Sequence, residues 1–441
     1  MRARGAIVLA GVFLASRALA SPEDLFGYGA RSAAMAATGA ATSSDFEAAY
    51  TNPALLSRIR HPKLTLGILG ATFDEVEDST RVEDRSAHGL DIGADLPIPL
   101  GGALRDRVSG ALAFYTPSDV VVRGRILYPE TPQFPLLSDR AQCVAIRMGV
   151  GLDLGHGIRV GGGFGALAEI VGSVVVATDS TGKVGSRIDD QLVATYAPIL
   201  GASWEHSLAL FGAPGTLRVG AVFRGALAAR FSVTIDATKL SSLNIPVFNI
   251  AGLAQYDPLQ AGLEGGWEGR KWKLAVGLTW KHWSDYPGPL EPTVPCPADE
   301  PDCGSLDVTR VPYSDTVVPR VGIERAFALS PTASFHARGG YFFEPTPIPS
   351  HLPASQAYDI PSQSLVSVPT RYFDADRHVF TAGLGVSLDK PLRLDVDAFA
   401  QVHVLSPRTI TLDAGNADGS AASVNVSGNV LVTGVQIGVG F

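Results

Sequence analysis

The chain has 441 residues, of which 46% are hydrophobic and 18% charged, with 48 glycines and 30 prolines. Its formal net charge of −8 argues against a nucleic-acid partner. Its three cysteines lack paired spacing and its nine histidines are scattered, so no metal site is predicted. This composition is typical of many amphipathic strands joined by turns.

Residues 1–20 have the pattern of a secretory signal peptide. A basic start is followed by an apolar run at 6–15, and Ala18-Leu19-Ala20 supplies the small residues that a signal peptidase reads. Arg17 ends this run well short of the roughly 20 apolar residues of a transmembrane helix. No later segment approaches such a helix, so residence in a membrane would require a β-barrel.

Residues 21–62 do not have the pattern of a strand. Residues 30–41 are small and rich in alanine, and Tyr50-Thr51-Asn52-Pro53-Ala54 indicates a turn before the first strand. Two interpretations are open, a plug inside a barrel and a flexible periplasmic extension. We favour the plug, because a solvated tail would carry more charge.

The remaining chain alternates between apolar and polar residues, as amphipathic strands do. Residues 392–404 are clearest: Leu394, Val396 and Val402 share one face, and Asp395, Gln401 and other polar residues share the opposite face. In a sandwich that polar face would meet solvent, and in a membrane barrel it would meet the lumen. Fourteen strands are predicted, at 63–78, 86–98, 107–124, 140–153, 158–178, 186–206, 216–238, 254–268, 271–286, 314–329, 333–345, 373–388, 391–413 and 425–441.

Short turns alternate with long connections along these strands. Gly269-Arg270, Ser330 to Thr332 and Asp389-Lys390 are short, whereas 287–313 and 346–372 are long and rich in proline, serine and aspartate. This alternation is typical of outer-membrane barrels, whose turns are periplasmic and whose loops are extracellular. Residues 63–441 are therefore predicted to form an all-β, transmembrane antiparallel barrel of about 14 strands.

The last strand agrees with this prediction. Val435, Ile437, Val439 and Phe441 share one face, and Phe441 ends the sequence. An aromatic residue at this position is expected to act as the signal for the barrel assembly machinery. The predicted location is the bacterial outer membrane.

Four stretches resemble the FadL-type family of long-chain fatty acid and aromatic hydrocarbon transporters. The most specific is the N-terminal one, with Gly29-Ala30-Arg31, Gly39-Ala40, Asp45 and Asn52-Pro53-Ala54-Leu55. The others are residues 113–117, residues 272–283, and Asp374-Ala375-Asp376-Arg377-His378 with Gly383-Leu384-Gly385. Together they follow the family's order along the whole mature chain.

The resemblance implies a 14-stranded barrel whose N-terminal hatch, residues 21–62, controls passive entry of hydrophobic molecules without a cofactor. It assigns the hatch or gate to Gly29, Arg31, Gly39, Asn52, Pro53 and Ala54. The alternative, purely structural interpretation of Asn52-Pro53-Ala54 is a capping turn before the first strand.

The resemblance also implies a lateral exit at an inward kink of the third strand, at Tyr115, Thr116 and Pro117. Here Ser118-Asp119-Val120 replaces the family's Phe-Gly-Leu, so the glycine of the family's kink is absent. Pro117 still removes a hydrogen-bond donor from the ladder.

Charged residues supply the remaining candidate sites. A fatty acid head group would need a cation, and Lys281, Arg320, Arg338 and Arg393 are candidates, although such residues also merely line wet lumens. Asp374, Asp376 and Arg377 are candidates for an ion pair that holds a loop or the hatch. Cys296 and Cys303 are expected to form a disulfide in an extracellular loop.

The sequence allows three classes of function to be compared. The leading one is passive transport of hydrophobic compounds, with outer-membrane lipids around a barrel that we expect to be a monomer. The alternative is a structural or binding barrel that serves as partner of a secretion system. A lipid hydrolase is disfavoured, because the adjacent His206 and Ser207 would point to opposite faces of a strand.

We predict that deletion of Phe441 blocks barrel assembly, since the terminal aromatic residue is the expected assembly signal. Heat-modifiable migration on a gel would report the folded barrel. Normal amounts of folded protein in the deletion strain would refute this prediction.

Overall fold

The computed structural model describes residues 22–82, 86–118, 128–141, 144–178, 184–210, 212–239, 248–290, 309–359, 364–416 and 418–441. The predicted signal peptide at 1–20, Asp119 and the predicted disulfide between Cys296 and Cys303 lie outside these residues. No helix within the described part of the chain is long and apolar enough to cross a membrane.

The described residues form 20 strands. In chain order they are β1 (Lys63–Glu77), β2 (Thr80–Arg81), β3 (Ala87–Pro97), β4 (Val108–Pro117), β5 (Ala145–Gly155), β6 (Ile158–Thr178), β7 (Val184–Ser207), β8 (Gly215–Arg224), β9 (Leu227–Lys239), β10 (Phe248–Asp257), β11 (Leu259–Gly269), β12 (Trp272–His282), β13 (Thr316–Ser330), β14 (Ala333–Glu344), β15 (His351–Leu352), β16 (Ser355–Asp359), β17 (Ser364–Val368), β18 (Arg377–Leu388), β19 (Arg393–Leu412) and β20 (Ala422–Gly440).

Fourteen of these strands close into one antiparallel barrel, which confirms the predicted fold class. The wall runs β1, β3, β4, β5, β6, β7, β8, β11, β12, β13, β14, β18, β19 and β20. It returns to β1 through a ladder from Lys63↔Gly440 to Glu77↔Val426. Closure leaves no free sheet edge in this wall.

The two faces of the wall differ as the alternation predicts. On β1, Leu64, Leu66 and Ile68 are exposed on the outer surface, whereas Thr65 is buried toward the lumen. On β19, Val396, Val402 and Val404 are exposed, and Gln401 and His403 are completely buried inside. An apolar exterior around a polar interior is the pattern of a transmembrane barrel.

Two predicted strands are each divided in the structure. The predicted strand at 216–238 is β8 and β9, and the one at 254–268 is β10 and β11. β8 and β11 pair in the wall, while β9 leaves it, pairs with β10 and runs parallel to β6. The breaks fall at Gly225 and Pro258, residues that tolerate or impose a bend. The wall still has 14 strands, because the extra pieces lie outside it.

Other boundaries shift modestly. The predicted strand at 140–153 begins only at Ala145, since Asp139–Ala141 forms a 3₁₀ turn. The loop predicted at 346–372 contains β15, β16 and β17.

The N-terminal segment, residues 22–62, lies inside the barrel. It contains α1 (Pro22–Phe26), α2 (Ala30–Ala34), α3 (Ala48–Thr51) and a 3₁₀ turn at Pro53–Arg58. The turn contacts β4 to β7, and α2 contacts β14 and β18 to β20 on the opposite side. The segment therefore fills the lumen and does not extend from the barrel.

Candidate functional site

A glycine-lined cradle receives the 3₁₀ turn of the N-terminal segment. A Cβ atom at Gly161 would overlap the backbone of Pro53, and one at Gly201 would overlap the side chain of Asn52. The missing side chains let the backbone of the turn lie directly against β6 and β7. Gly161 belongs to a glycine-rich stretch, residues 161–165, that is part of β6, and it is the residue of that stretch on which the turn docks.

Asn52 fixes the entry to this turn. Its completely buried side chain donates from Nδ2 to the carbonyls of Ala40, at 2.6 Å, and Ala202, at 3.1 Å. Its Oδ1 accepts from the backbone N–H of Ala54 at 3.1 Å, as an N-cap does. Pro53 occupies the first position of the turn, where a backbone N–H would have no acceptor within the turn, so the missing N–H of proline costs nothing. The predicted Asn-Pro-Ala turn is therefore also a contact between the N-terminal segment and the wall.

Glu264 on β11 binds a second part of the segment. Its carboxylate accepts from the backbone N–H groups of Gly39, Ala40 and Ala41 at 2.9, 3.1 and 3.0 Å. Consecutive amides around an anion form a compact anion-binding nest. Sequence reasoning missed Glu264, although a lone carboxylate on the inner face of a strand was a usable signal.

Arg31 and Gly29 organise α2. Arg31 pairs through Nε with Glu324 at 3.1 Å and donates from Nη1 to the carbonyl of Thr42 at 3.1 Å. Gly29 has φ of 78°, and a Cβ there would collide with Glu47. Burial, reinforced by the nearby Asp45, raises the pKa of Glu47 to about 8. Arg31, Gly29 and Gly39 thus all lie at contacts that shape the segment.

An ion-pair belt lines the wall beneath α1. It runs from β5 to β14 and reaches β19, with successive N–O distances such as 2.8 Å for Arg159–Glu205 and 3.2 Å for Lys273–Glu324. Arg338 spans β18 to meet Asp397, over Gly385, which has no side chain in the way. Its members are Asp153, Arg159, Glu205, Arg218, Glu268, Lys273, Glu324, Arg338 and Asp397.

A second network holds α1 at the other end of the lumen. Lys281 is completely buried, and its Nζ lies 2.9 Å from Asp24 and 2.7 Å from Glu344. Arg140, from the loop before β5, contacts Asp24 at 2.8 Å and Asp257 at 2.6 Å. Burial alone would raise the pKa of Asp24, but Lys281 and Arg140 hold it well below its usual range. We call Asp24, Lys281, Glu344, Arg140 and Asp257 the α1 latch.

The four predicted head-group cations are placed differently. Lys281 and Arg338 are in the ion pairs described above, and Arg320 lies 3.8 Å from Glu344 and donates to the carbonyl of Ala36. Arg393 is exposed at the first position of β19. Their role in binding a head group stays a prediction, and existing partners already compensate three of them.

A packed apolar cluster lies above α1, beneath the long loops. Its rings make close contacts, with centroids 4.9 Å apart for Tyr256–Tyr286 and 4.7 Å for Tyr286–Tyr313. We call this packed set of side chains the loop chamber; it is formed by Leu25, Phe26, Phe134, Leu136, Leu137, Tyr256, Trp283, Tyr286, Tyr313, Ile348, Leu352, Tyr372, Phe373, Phe399, Leu405 and Ile410. Its residues come from distant parts of the chain, so no local sequence pattern predicts the cluster.

The late motif borders this chamber. The Asp376 side chain accepts from the backbone N–H of Thr346 at 2.8 Å, and its carbonyl accepts from Ser406. Asp374 and Arg377 are both buried. Arg377 forms no ion pair with any carboxylate in the described ranges, so the predicted ion-pair role stays a prediction.

The predicted kink residues lie at the upper end of β4. The ladder with β3 is continuous from Pro97↔Ser109 to Gly89↔Pro117, and Tyr115 lies over Gly89. Tyr115 also packs in a cluster with Ala145, Leu167, Ala197, Leu227 and Ala229. The kink itself stays a prediction, since the chain after Ser118 is outside the described residues.

Two cavities of the described barrel are small or polar. A cavity of about 40 Å³ beside α1 is lined by polar groups that include Asp24, Glu264 and Arg320. A cavity of about 300 Å³ at the end of the barrel that carries the Asp389-Lys390 turn is bordered by Asp45, Lys63 and other charged residues. Neither offers an apolar path past the N-terminal segment.

We predict that Gly161→Val displaces the 3₁₀ turn, because its side chain would overlap Pro53. The strain should cost about 1–3 kcal/mol and expose residues 53–58 to protease. Gly265→Val is the matched control, since a Cβ at Gly265 meets no atom within 4 Å. Equal protease resistance in the two variants would contradict the cradle.

We predict that Glu264→Gln loosens the nest at residues 39–41, because a charged acceptor is lost. The amides of Gly39, Ala40 and Ala41 should exchange hydrogen about tenfold faster or more, as expected for a loss of roughly 1.5 kcal/mol. Asp74→Asn, on an exposed side chain of β1, provides the control. Unchanged exchange would remove the clamp role of Glu264.

Comparison with known proteins identifies the fold. Neither a protein-family model nor a curated protein sequence matches the chain. Among solved structures, the crystal structure of a Pseudomonas aeruginosa FadL homologue is similar, with a TM-score of 0.59 and 13% identity over 96% of this chain and 98% of that one. The P. putida toluene transporter TodX is similar with a TM-score of 0.52 and 12% identity over 95% and 99%. The chain therefore has the fold of the FadL-type barrels.

Proposed function

We propose that this protein is a passive outer-membrane channel for hydrophobic compounds, either long-chain fatty acids or aromatic hydrocarbons, and that its N-terminal segment is the hatch. The observation that carries the proposal is the position of the loop chamber directly above a lumen that the segment fills. The names of the similar structures, a FadL homologue and a toluene transporter, support this class of ligand.

The loop chamber is suited to capture once its side chains part. Its aromatic and aliphatic side chains are packed against one another, and on separating they would give a ligand an apolar surface, where burial contributes about 25 cal/mol per Å². Phe26 belongs both to the chamber and to α1. A ligand that enters the chamber therefore contacts the hatch itself.

The α1 latch then controls passage. Asp24 joins α1 to the wall through Lys281 and to the extracellular loop through Arg140. Breaking a buried ion pair is strongly unfavourable unless both partners find substitutes. Glu344 remains for Lys281 and Asp257 for Arg140, so both cations keep a partner when α1 moves. Asp24 then loses both of its partners, and its carboxylate must gain water in their place.

The ion-pair belt argues for a lateral exit. An apolar molecule that continued along the axis would desolvate the charges lining the wall below α1, which is costly. A small apolar cluster around Tyr115, Ala145 and Ala197, on β4, β5 and β7, offers uncharged surface at the wall. We propose an exit to the bilayer near the upper end of β4, where the family resemblance also places one.

The activity needs no catalytic step. The protein would work as a monomer, assembled by the barrel assembly machinery and surrounded by outer-membrane lipids. A partner barrel for a secretion system is the alternative, and the filled lumen does not favour it.

The test is paired uptake and leakage in one set of strains. A deletion strain complemented with the protein should regain uptake of labelled oleate or toluene. Asn52→Ala should lower uptake at an unchanged level of folded barrel, because the turn loses its bonds to Ala40 and Ala202.

Deletion of residues 22–59 should instead admit small polar antibiotics. Normal uptake by Asn52→Ala, together with no leak from the deletion, would refute the hatch. Failure of complementation with both ligands would favour the partner barrel.

A further inference from the structure

A single charge interrupts the apolar outer surface of five neighbouring strands. On β13 the outward residues include Val321, Ile323, Arg325, Phe327 and Leu329. The outward positions of β11, β12, β14 and β18, strands that the structure describes throughout, hold no lysine, arginine, aspartate or glutamate. A charge on the lipid-facing side of a barrel is unfavourable unless something compensates it.

Arg325 lies between two aromatic rings. Its Cζ atom is 4.8 Å from the ring centroid of Trp272 and 4.6 Å from that of Phe327. Trp272 is directly opposite Arg325 in the ladder between β12 and β13, and Phe327 is the next outward residue of β13. Ring faces attract a guanidinium and hold its plane, which leaves its N–H edge directed away from them.

No carboxylate compensates this arginine. In the described ranges Arg325 forms neither an ion pair nor a hydrogen bond through its side chain. Its neighbour Glu324 is buried on the opposite, inner face, where it pairs with Arg31 at 3.1 Å and Arg338 at 2.7 Å. The five N–H donors of the Arg325 guanidinium are therefore available to an acceptor outside the chain.

Two further cations lie at the same level of the wall. Arg270 and Lys271 form the turn between β11 and β12, and both are exposed. The carbonyl of Lys271 accepts from the backbone N–H of Ala326 at 2.8 Å, which places this turn beside Arg325. Among the described residues on the outer side at this end of β11 to β13, there are thus three cations and no carboxylate.

The surroundings are those of a membrane interface. Tryptophan and other aromatic residues favour the level of the lipid head groups, and Trp272 and Phe327 are 39% and 38% exposed. On the side of Arg325 away from the turn, the exposed residues are aliphatic, as at Val276 and Ile323. A molecule with an anionic head and apolar chains matches both parts of this surface.

We propose that Arg325, together with Arg270 and Lys271, forms a site on the outer wall for the head group of an anionic glycerophospholipid. The phosphate oxygens accept from the Arg325 guanidinium, whose planar fork suits a phosphate. The two turn cations favour a lipid with a net negative charge over a zwitterionic one. The acyl chains lie along the aliphatic surface of β12 and β13.

The position of the site selects the lipid. The sequence predicts that the short turns, including the one at Arg270, face the periplasm, and that leaflet of an outer membrane consists of glycerophospholipids. The site lies outside the barrel, so it is independent of what passes through the lumen. Its failure would leave the proposed transport function untouched.

The test is a competition between two lipids with the same acyl chains. The purified full chain in a non-ionic detergent is mixed with equal amounts of dioleoyl phosphatidylglycerol and dioleoyl phosphatidylcholine, and adducts of one lipid are quantified by native mass spectrometry. The native protein should prefer phosphatidylglycerol about tenfold, or ~1.4 kcal/mol. The preference should fall between about 0.05 and about 0.5 M salt, because salt screens exposed charges.

Arg325→Gln should bring the two lipids to nearly equal binding while phosphatidylcholine binds as before. The double variant Arg270→Gln/Lys271→Gln should lower the preference by about threefold. Arg105→Gln is the matched control, because Arg105 is an exposed arginine between β3 and β4 at the same end of the barrel, and it should retain the full preference. Heat-modifiable migration verifies that each variant is folded.

Equal binding of both lipids by the native protein would overturn the site, as would an unchanged preference in folded Arg325→Gln. An equal loss in Arg105→Gln would reduce the effect to net charge. Removal of the lipid by inorganic phosphate at the same ionic strength, or tighter binding of the phosphorylated glycolipid lipid A, would overturn the choice of ligand. If Arg325→Gln does not fold, an unchanged ratio in the double variant overturns the proposal.

Discussion

The structure depends on satisfying an irregular backbone inside a closed barrel. The N-terminal segment has only short helices, so many of its N–H and C=O groups have no partner within it. The wall supplies these partners from inward side chains: Glu264 accepts three amides, Gln401 donates to two carbonyls, and Thr381 bonds to Ala34 and Ala36. A buried backbone group that lost such a partner would be costly, so wall and hatch specify each other.

Charge divides the interior into zones with different purposes. In both the α1 latch and the ion-pair belt, the acidic and basic side chains nearly balance and are paired with one another. Neither group therefore leaves a free charge for a further ion. The loop chamber is apolar, with unpaired polar atoms at its margin. This arrangement separates the charged groups that hold the N-terminal segment from the apolar side chains above it.

The sequence predicted the barrel because its signal is local and repeated. Period-2 alternation identifies each strand, and the short turns give the order, so the fold class and the strand count follow. The bends at Gly225 and Pro258 were missed because β9 is drawn from the wall by its pairing with β6, over 50 residues away in the chain. The cradle glycines and Glu264 were present in the sequence, but their partners lie across the lumen.

The candidate sites show the same limit. Asn52 and Pro53 were identified from a short motif, whereas Arg140 acts only through Asp24 and Asp257, which are distant in sequence. Lys281 and Arg320 looked like free cations because nothing local revealed their carboxylate partners. In each case three-dimensional neighbours, which no local pattern encodes, decide the state of the charge.

The seam between β1 and β20 has a consequence for the order of assembly. This ladder joins the first wall strand to the last, so it closes the longest loop of the wall and carries the largest loop-closure entropy. The hatch touches β5 to β7 on one side and β18 to β20 on the other, and its connection to β1 is short. A hatch left outside a finished barrel would have to thread its charged and hydrogen-bonding groups through the narrow mouth. We therefore expect the N-terminal segment to lie against the inner face of the sheet before β20 pairs with β1 and closes the barrel.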